Sequence, residues 1–312
     1  MSKAHGAARA CLPGSEVTVR KKILLIGNPV AGGGKANRLI ADLLQGLRQR
    51  GYLVEAFLTN SAKDASRRAR DIEADVDVLV VVGGDGTLNE VLNGLPDPSR
   101  TPIAHLPTGT ANILGRELGL PKTAEDLIQT LESGHPRWLD LGLLGGSRFL
   151  MVASVGLDAM VTEEVQRRRG GTLGYLGYLT PILRVFKRYH PPELTVTVDE
   201  GEQIPGAFVV VSNTRNYGGI FSFAERARCD SGHLDVCVFP RGTLSALLWY
   251  YLAAFCGWVS KRTDVRYLTG TRIRIESREP VAVQMDGDPA GVTPADIGLL
   301  PAAVPVLVPP GR

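Results

Sequence analysis

The five residues at 83–87, Gly-Gly-Asp-Gly-Thr, have the types and spacing to bind a nucleotide through a metal ion. They follow an unbroken apolar run at 78–82 and precede a segment of helical pattern, which predicts a strand, a tight turn and a helix. Glycines at such a turn let backbone N–H groups approach a phosphate closely, and the positive end of the helix points to the same place. Because the Asp85 carboxylate would repel a bare phosphate, we expect a divalent cation between them.

Two further turns of this kind lie nearby in the sequence. The stretch at 27–35, Gly-Asn-Pro-Val-Ala-Gly-Gly-Gly-Lys, follows the apolar run at 23–26, and Pro-Thr-Gly-Thr-Ala-Asn at 107–112 ends the run at 103–106. The first is neither a Walker A loop nor a dinucleotide GxGxxG motif, because Pro29 and Ala36 occupy positions where a Walker A loop has other residues. All three turns follow predicted parallel strands, whose carboxyl ends share one sheet edge. We therefore expect the turns to converge on one site.

The elements that must position these turns change in character near residue 140. From 21 to 140, apolar runs at 23–26, 53–58, 78–82 and 103–106 alternate with helical segments, which predicts an α/β domain with a doubly wound parallel sheet. From 141 to 312, several runs alternate with period two, which predicts a β-rich, antiparallel, sandwich-like domain. These runs are at 149–155, 194–198, 208–211, 234–239, 273–275 and 281–285. We expect residues 1–20 to form a disordered tail, and the segment at 304–308 to join either domain.

Composition limits the classes of function. A chain of 312 residues is long enough for two domains, and its hydrophobic fraction of 44% is typical of a globular protein. The four cysteines show no CxxC spacing, which argues against a zinc site. The net charge of +3 is too small to indicate a nucleic-acid partner. The first twenty residues contain no apolar stretch of signal-peptide length, so we expect a cytoplasmic protein.

The series of motifs resembles the diacylglycerol kinase catalytic-domain superfamily, which includes bacterial lipid kinases and sphingosine and ceramide kinases. The resemblance covers roughly residues 22 to 309, and the order of the motifs is also that of the family. The matching segments are 28–29 with the following glycines, 83–87 with Asn89 and Glu90, 107–112 with Arg116, 156–159, 217–219, 232–236 and 284–288.

The resemblance implies an ATP-dependent lipid kinase that phosphorylates a hydroxyl of diacylglycerol or a related lipid. Its cofactors would be ATP and Mg²⁺, and its active site would lie in the cleft between the two domains. The alternatives are an NAD kinase-like phosphotransferase, a sphingoid-base kinase, and a non-catalytic regulator that binds ATP or lipid. The Asn-Glu pair directly after the central turn argues against an NAD kinase, and the intact Asp85 and Asp286 argue against a regulator.

Asp286 is the predicted general base, since phosphoryl transfer requires a base near the acceptor hydroxyl. Strand alternation over 281–286 places Gln284 and Asp286 on one face, away from the core, and the three apolar side chains on the other. An Asp-Gly surface turn is the alternative, and the acidic motif of the family favours the catalytic role. Asp288 stands where most family members have Glu, and we give it a secondary role.

The remaining predicted site residues bind nucleotide and metal. Asp85 is expected to act on the catalytic Mg²⁺, through water. The predicted nucleotide contacts are Asn28, Gly33, Gly34, Lys35, Thr59, Gly83, Gly84, Gly86, Thr87, Thr110 and Asn112. Some family members bind a structural Mg²⁺ at an Asp-Gly turn in the second domain, where this chain has Ser231 instead of the usual Asp. Asp230 and Asp235 are the candidate replacements, and a carboxylate that caps the turn is the simpler alternative.

The apolar segment at 244–259 is predicted to be a helix and is shorter than the ~20 residues that a membrane span needs. Helical spacing predicts a buried face at Leu244, Leu247, Leu248, Tyr251, Leu252, Phe255 and Val259, and another face with Trp249, Tyr250, Ala253 and Trp258. The helix is either part of the core or rests on a bilayer interface through Trp249 and Tyr250. Basic clusters at 167–169 and 187–188 would then attract anionic lipid.

The expected partner is therefore a lipid substrate at a membrane surface, with peripheral association of a cytoplasmic protein. No nucleic-acid partner is expected. The sequence leaves a homodimer open.

Overall fold

The computed structural model describes residues 21–167, 184–185 and 189–311. The predicted tail at 1–20 and the basic residues at 168–169 and 187–188 lie outside the described residues. The helices are α1 Lys35–Gln49, α2 Asp64–Arg70, α3 Asp85–Gly94, α4 Ile113–Leu118, α5 Ala124–Ser133, α6 Leu157–Gln166 and α7 Leu244–Cys256, with short 3₁₀ turns at Ala31–Gly34 and Val259–Lys261. The strands are β1 Lys22–Gly27, β2 Leu53–Leu58, β3 Val78–Gly83, β4 Ile103–Pro107, β5 His135–Leu144, β6 Ser147–Phe149, β7 Val152–Val155, β8 Leu194–Val198, β9 Ile204–Gly206, β10 Phe208–Ser212, β11 Leu234–Phe239, β12 Arg266–Gly270, β13 Arg272–Ser277, β14 Ala282–Met285, β15 Asp288–Val292 and β16 Ala295–Val308.

Strands β1 to β4 form the predicted parallel sheet, in the order β2-β1-β3-β4. Alternate side chains of these strands enter two separate apolar layers. Val80 of β3 packs with residues of α1 and α5 on one face, and Val81 packs with residues of α2 and α3 on the other. Helices therefore cover both faces, which explains why β3 is apolar and buried along its whole length.

The sheet continues beyond β4 into the second half of the chain. Val306 of β16 pairs in parallel with Ile103 of β4, and the residues at 295–298 of β16 pair with β13, which leads on to β8 and β9. The C-terminal strand, which the sequence left free to join either domain, thus joins both. Strand β5 pairs with β16 over the length of His135–Leu144, so the predicted division at residue 140 falls within a strand.

The second sheet is antiparallel, in the order β12-β11-β10-β7-β14-β15. Its inner face packs against β8, β13 and β16, with Val209 and Val236 among the buried residues on one side and Val196 and Ile273 on the other. This packing confirms the predicted sandwich. The apolar run at 149–155, predicted as one strand, is divided between β6 and β7, so that the residues at 150–151 lie between two strands.

Helix α7 packs on the outer face of the second sheet, and the prediction of its buried face was right for Leu247 and Val259 and wrong for four other side chains. The buried side chains are Leu247, Tyr250, Ala253 and Ala254. Leu244, Leu248, Leu252 and Phe255, which spacing placed inside, are exposed. The reason is that the helix is apolar on all sides, so periodicity does not identify the face that packs. No helix among the described residues is both long enough and apolar enough to cross a membrane.

Candidate active site

The three glycine-rich turns meet at the carboxyl edge of the parallel sheet. The N–H of Asn28, in the first turn, donates to the carbonyl oxygen of Val82 at 2.8 Å, and the N–H of Thr108, in the third turn, donates to that of Gly83 at 2.8 Å. Both bonds continue the strand pairing into the turns. Backbone hydrogen bonds thus bring the first and third turns to the end of β3, as the sequence predicted.

Close approach between the turns requires glycine at two positions. A Cβ atom on Gly32 would lie 2.4 Å from the carbonyl oxygen of Thr108, and one on Gly109 would lie 2.7 Å from the Cα of Gly84. At three other glycines, by contrast, the space beside the backbone is empty. A Cβ atom on Gly33, Gly34 or Gly86 would meet no heavy atom within 4 Å. The backbone at these three positions is therefore open to a ligand, which suits the approach of phosphate groups.

Asp85 begins α3 in the central turn, with its two carboxylate oxygens in different environments. Oδ2 accepts a hydrogen bond from the N–H of Ile113 at 3.1 Å, at the start of α4. Oδ1 is buried and has no hydrogen-bond partner among the described residues. A buried anionic oxygen without a partner is costly, and a hydrated cation would satisfy it. The central turn therefore fits Mg²⁺ held by Asp85 through water, next to phosphates on the open glycines.

Two predicted nucleotide contacts shape the turns. The Oδ1 atom of Asn28 accepts from the N–H of Val30 at 3.2 Å. Asn112, at φ +48°, accepts from the N–H of Gly109 at 2.7 Å and donates to its carbonyl oxygen at 2.9 Å. The Asn112 amide therefore holds the third turn closed.

The other predicted contacts differ in their surroundings. Thr59 lies beside the first turn, since its N–H donates to the carbonyl oxygen of Gly27 at 2.9 Å. The side chain of Thr87 packs against Gly83, where an added Cβ would lie 2.6 Å from Thr87 Cβ. Thr110 is exposed. Lys35 is also exposed and lines a groove between α1 and α5, so its predicted contact with phosphate stays a prediction.

Asp286 lies in the turn between β14 and β15, at φ +49°. Its Oδ1 atom accepts hydrogen bonds from the N–H groups of Met151 and Val152, both at 2.9 Å, and its Oδ2 atom accepts one from Leu150 at 2.8 Å. The division of the 149–155 run leaves these N–H groups available. Burial raises the pKa of Asp286 to about 6, the three backbone hydrogen bonds oppose this rise, and the charge of Asp85 adds to it.

The two predicted catalytic carboxylates thus lie in different domains, with Asp85 near enough to Asp286 for its charge to affect the pKa. Contacts between α3 and β6 help to fix this arrangement. The Nη1 atom of Arg148 donates to the carbonyl oxygens of Leu92 and Leu95, at 2.6 and 2.7 Å, and its backbone N–H donates to Oδ1 of Asn93 at 2.7 Å. The strand that leads into the 150–152 segment is therefore attached to the end of the helix that Asp85 begins.

A buried polar network next to Asp286 was not predicted. Asp158, at the start of α6, accepts a 2.5 Å hydrogen bond from Ser154 Oγ and another from the hydroxyl of Tyr217. Gln284 donates to Ser154 Oγ at 2.9 Å and accepts from the N–H of Gly287 at 2.9 Å. Burial raises the pKa of Asp158, and these bonds oppose the rise.

The network holds the turn that carries Asp286, and it corrects one prediction. Gln284 does lie on the face opposite Val283, but it is fully buried in the network and does not point away from the interior. The sequence contained a signal for this network, since the segments at 156–159, 217–219 and 284–288 all matched the family. The contacts among them depend on tertiary packing.

Two further residues form hydrogen bonds to backbone carbonyl oxygens in the central turn and in the loop of Tyr217. His105, to which no catalytic role was assigned, is fully buried in β4, and its Nε2 atom lies 3.1 Å from the carbonyl oxygen of Gly83. Burial lowers the pKa of His105, so the ring is neutral and donates this bond from Nε2. Arg116 of α4 donates to the carbonyl oxygen of Gly219 at 2.9 Å, which links the third turn to the loop of Tyr217.

The residues proposed for a second metal have other partners. Asp230 accepts from both Nε and Nη2 of Arg137, at 2.9 and 2.7 Å, and from Arg228 at 3.2 Å. Asp235 accepts from the hydroxyl of Tyr267 at 2.7 Å. Within the described ranges, no group of three or more His, Cys, Asp or Glu side chains is arranged to hold a metal ion. Asp230 therefore acts in an ion pair, and the second metal stays a prediction.

The fold and the site together define a two-domain kinase of the NAD kinase-like architecture. Residues 22–144 match the family described as the diacylglycerol kinase catalytic domain, and residues 151–308 match the YegS C-terminal NAD kinase beta sandwich-like domain. The chain belongs to the diacylglycerol kinase catalytic-domain superfamily.

Individual proteins agree with this assignment. The diacylglycerol kinase of Bacillus subtilis (strain 168) is 27% identical over 296 residues, which cover 93% of this chain and 97% of that protein. The crystal structure of a candidate diacylglycerol kinase from Bacillus anthracis str. Sterne has a TM-score of 0.76 and 27% identity, and covers 94% of this chain and 99% of that one. Yeast NADH kinase complexed with NADH shares the fold, with a TM-score of 0.50 and 11% identity over 93% of this chain and 83% of that one.

Proposed function

We propose that this protein is an ATP-dependent lipid kinase that transfers the γ-phosphate of Mg²⁺-ATP to a hydroxyl of diacylglycerol or a related lipid. The observation that carries the proposal is the electrostatic coupling of Asp85 and Asp286. One carboxylate lies in a turn suited to a nucleotide and its metal, and the other is near enough for the charge of the first to add to its raised pKa. Relatives named diacylglycerol kinase, similar over 93% of the chain, support a lipid as the acceptor.

Asp286 acts as the general base in this proposal. Its Oδ1 atom already accepts two backbone N–H groups, whereas Oδ2 accepts one and keeps a lone pair for the acceptor hydroxyl. With a pKa of about 6, the carboxylate is ionised at neutral pH and is more basic than an ordinary aspartate. Oδ2 takes the hydroxyl proton as the lipid oxygen bonds to the γ-phosphorus and the bond from that phosphorus to the leaving ADP oxygen breaks.

The three turns position the other substrate. The backbone at Gly33, Gly34 and Gly86 has open space beside it for phosphate groups, and the N-terminus of α3 adds positive potential at the central turn. Asp85 holds the metal through water at its Oδ1 atom. When bound, Mg²⁺ neutralises the charge that develops on the phosphates.

A panel of acceptors tests the proposal. Diacylglycerol, a sphingoid base and ceramide, each in mixed micelles, and NAD in solution are incubated with ATP labelled at the γ-phosphate. We expect label in a lipid product and none in NAD. Label in NAD alone would overturn the lipid assignment in favour of the NAD kinase-like alternative, and label in the sphingoid base alone would favour the sphingoid-base alternative.

A further inference from the structure

Helix α7 presents a continuous apolar surface to solvent. Six side chains on it and just after it are between 45% and 69% exposed. They are Leu244, Leu248, Trp249, Leu252, Phe255 and Trp258, and together we call them the α7 face. Single exposed apolar side chains are ordinary, but a contiguous row of this size marks a surface that contacts a partner or a membrane.

The charged residues in the segment that carries the α7 face are basic, and the acidic neighbours Glu225 and Asp264 accept hydrogen bonds from Ser260 and Tyr250. Exposed Arg241 precedes the helix and exposed Lys261 follows it, and the sequence from 240 to 263 contains no acidic residue. The first acidic side chain after the helix, Asp264, is paired with Arg262 at 2.9 and 3.0 Å. An apolar strip with basic ends and two exposed tryptophans is complementary to a bilayer that carries anionic head groups.

The same charges disfavour a second copy of this chain as the occupant. Helices of two copies pair either in parallel or antiparallel. Because both ends of the α7 face are basic, either arrangement brings positive charges together. An anionic lipid surface has no such conflict.

The α7 face also lies close to the acceptor side of the site. On the inner side of the helix, the Tyr251 ring packs against Phe223, with centroids 5.2 Å apart, and Phe223 packs against Tyr217 at 5.5 Å. The hydroxyl of Tyr217 donates to Asp158, in the network that holds the turn of Asp286. Ile220, in the same loop as Tyr217, is 47% exposed. A series of three aromatic rings therefore connects the inner side of α7 to the network.

We propose that the α7 face docks this protein on the surface of a bilayer that contains anionic lipid. The apolar side chains enter the boundary between head groups and acyl chains, and Arg241 and Lys261 contact the head groups. The inference rests on the proposed function for its purpose, since docking on this side presents a lipid hydroxyl to the Asp286 side of the cleft.

The test measures sedimentation of the full chain with vesicles made of equal parts phosphatidylcholine and phosphatidylglycerol, without ATP. The variants Leu248→Glu and Phe255→Glu each place a charge in the α7 face. The control is Leu53→Glu, because Leu53 is 52% exposed at the start of β2, at the end of the sheet opposite the turns. We expect each α7 variant to bind vesicles about tenfold more weakly or worse, and the control to bind as wild type.

A fluorescence measurement tests docking without the glutamate variants, which could fail to fold. The chain has three tryptophans, so Trp138→Phe leaves only Trp249 and Trp258 to report. We expect brominated lipid in the vesicles to quench them. The proposal is overturned if no quenching occurs, or if both α7 variants bind vesicles as wild type does.

Two other outcomes distinguish membrane docking from a dimer contact and from a failure of the proposed function. If Leu248→Glu dissociates a dimer and leaves vesicle binding intact, the α7 face is a contact between copies and the docking proposal is wrong. If the α7 variants lose vesicle binding but wild type phosphorylates no lipid, docking stands and the proposed function fails. Turnover of a soluble short-chain diacylglycerol should be the same in wild type and all three glutamate variants.

Discussion

The negative charge of Asp85, at the start of α3, contributes to the raised pKa of Asp286, in the turn between β14 and β15. The larger cause of that pKa, about 6, is burial. The relationship joins the nucleotide turn of one domain to the acidic turn of the other. It also makes the protonation state of the proposed base sensitive to the residue proposed to hold the metal.

The pH dependence of catalysis follows from this pair. Asp286 accepts a proton only when ionised, so kcat/KM for a soluble short-chain lipid should rise with pH through an apparent pKa of about 6 and then level off. Asp85→Asn removes the like charge and should shift this rise of kcat/KM to lower pH. In the Asp286→Asn variant, kcat/KM should not rise in this pH range. If the rise persists in Asp286→Asn, another group is responsible for the titration.

Asp85→Asn also tests the metal. The asparagine oxygen can still accept from the N–H of Ile113, so stability should stay near wild type, while the lost charge weakens the hold on Mg²⁺-ATP. Asp85→Ala loses the hydrogen bond as well, at about 0.5–1.5 kcal/mol of stability. Calorimetric titration with ATP across a range of Mg²⁺ concentrations measures the effect. Wild-type ATP affinity in both variants, with no response to Mg²⁺, would mean that Asp85 has no metal-linked role.

Substitutions at two glycines distinguish an effect on packing from an effect on nucleotide binding. In Gly109→Ala the new Cβ lies 2.7 Å from the Cα of Gly84, so the turns must shift, and we expect a stability loss of about 1–3 kcal/mol by urea unfolding. In Gly86→Ala the Cβ meets no protein atom within 4 Å, and alanine favours the helix, so stability should hold or rise by about 0.5–1 kcal/mol. ATP affinity should nevertheless fall. Unchanged affinity in Gly86→Ala would show that the nucleotide does not use this space.

Gln284 is expected to act as a positioning residue for Asp286. Gln284→Met keeps the length of the side chain and removes its bonds to Ser154 and Gly287, which leaves buried polar groups without partners. We expect a stability loss of about 1–3 kcal/mol and a lower kcat, with the Kd for ATP unchanged. The matched control is Gln129→Met on the exposed side of α5. If Gln284→Met loses stability but keeps kcat, the network is structural only.

The sequence was sufficient to predict the nucleotide side of the site. The four apolar runs of the first domain became β1 to β4, and parallel strands place their carboxyl ends at one edge. The contact of Gly84 with Gly109 therefore follows from local motifs and one rule of topology. The sandwich was also predictable in part, because strands such as β8 and β13 alternate with period two and bury one face.

Features that depend on packing between distant segments were not predictable. The run at 149–155 is apolar from Phe149 to Ala153 and gives no sign of the break that frees the N–H groups of Leu150 and Met151 for Asp286. The contact of Tyr217 with Asp158 needs the fold to bring two loops together. In α7, where every side is apolar, only the surrounding sheet decides that Tyr250 is buried and Leu248 exposed.

The central claim is that Asp286 is the base of a lipid kinase, and phosphate transfer from labelled ATP to a short-chain diacylglycerol measures it most directly. Asp286→Asn is compared with Asp296→Asn, whose carboxylate is exposed and paired with Arg274. We expect lipid phosphate from wild type and Asp296→Asn at similar rates. We expect a rate lower by ~10²–10⁴ for Asp286→Asn, with near wild-type ATP affinity and a folded chain by circular dichroism. A folded Asp286→Asn that transfers phosphate at the wild-type rate would contradict it.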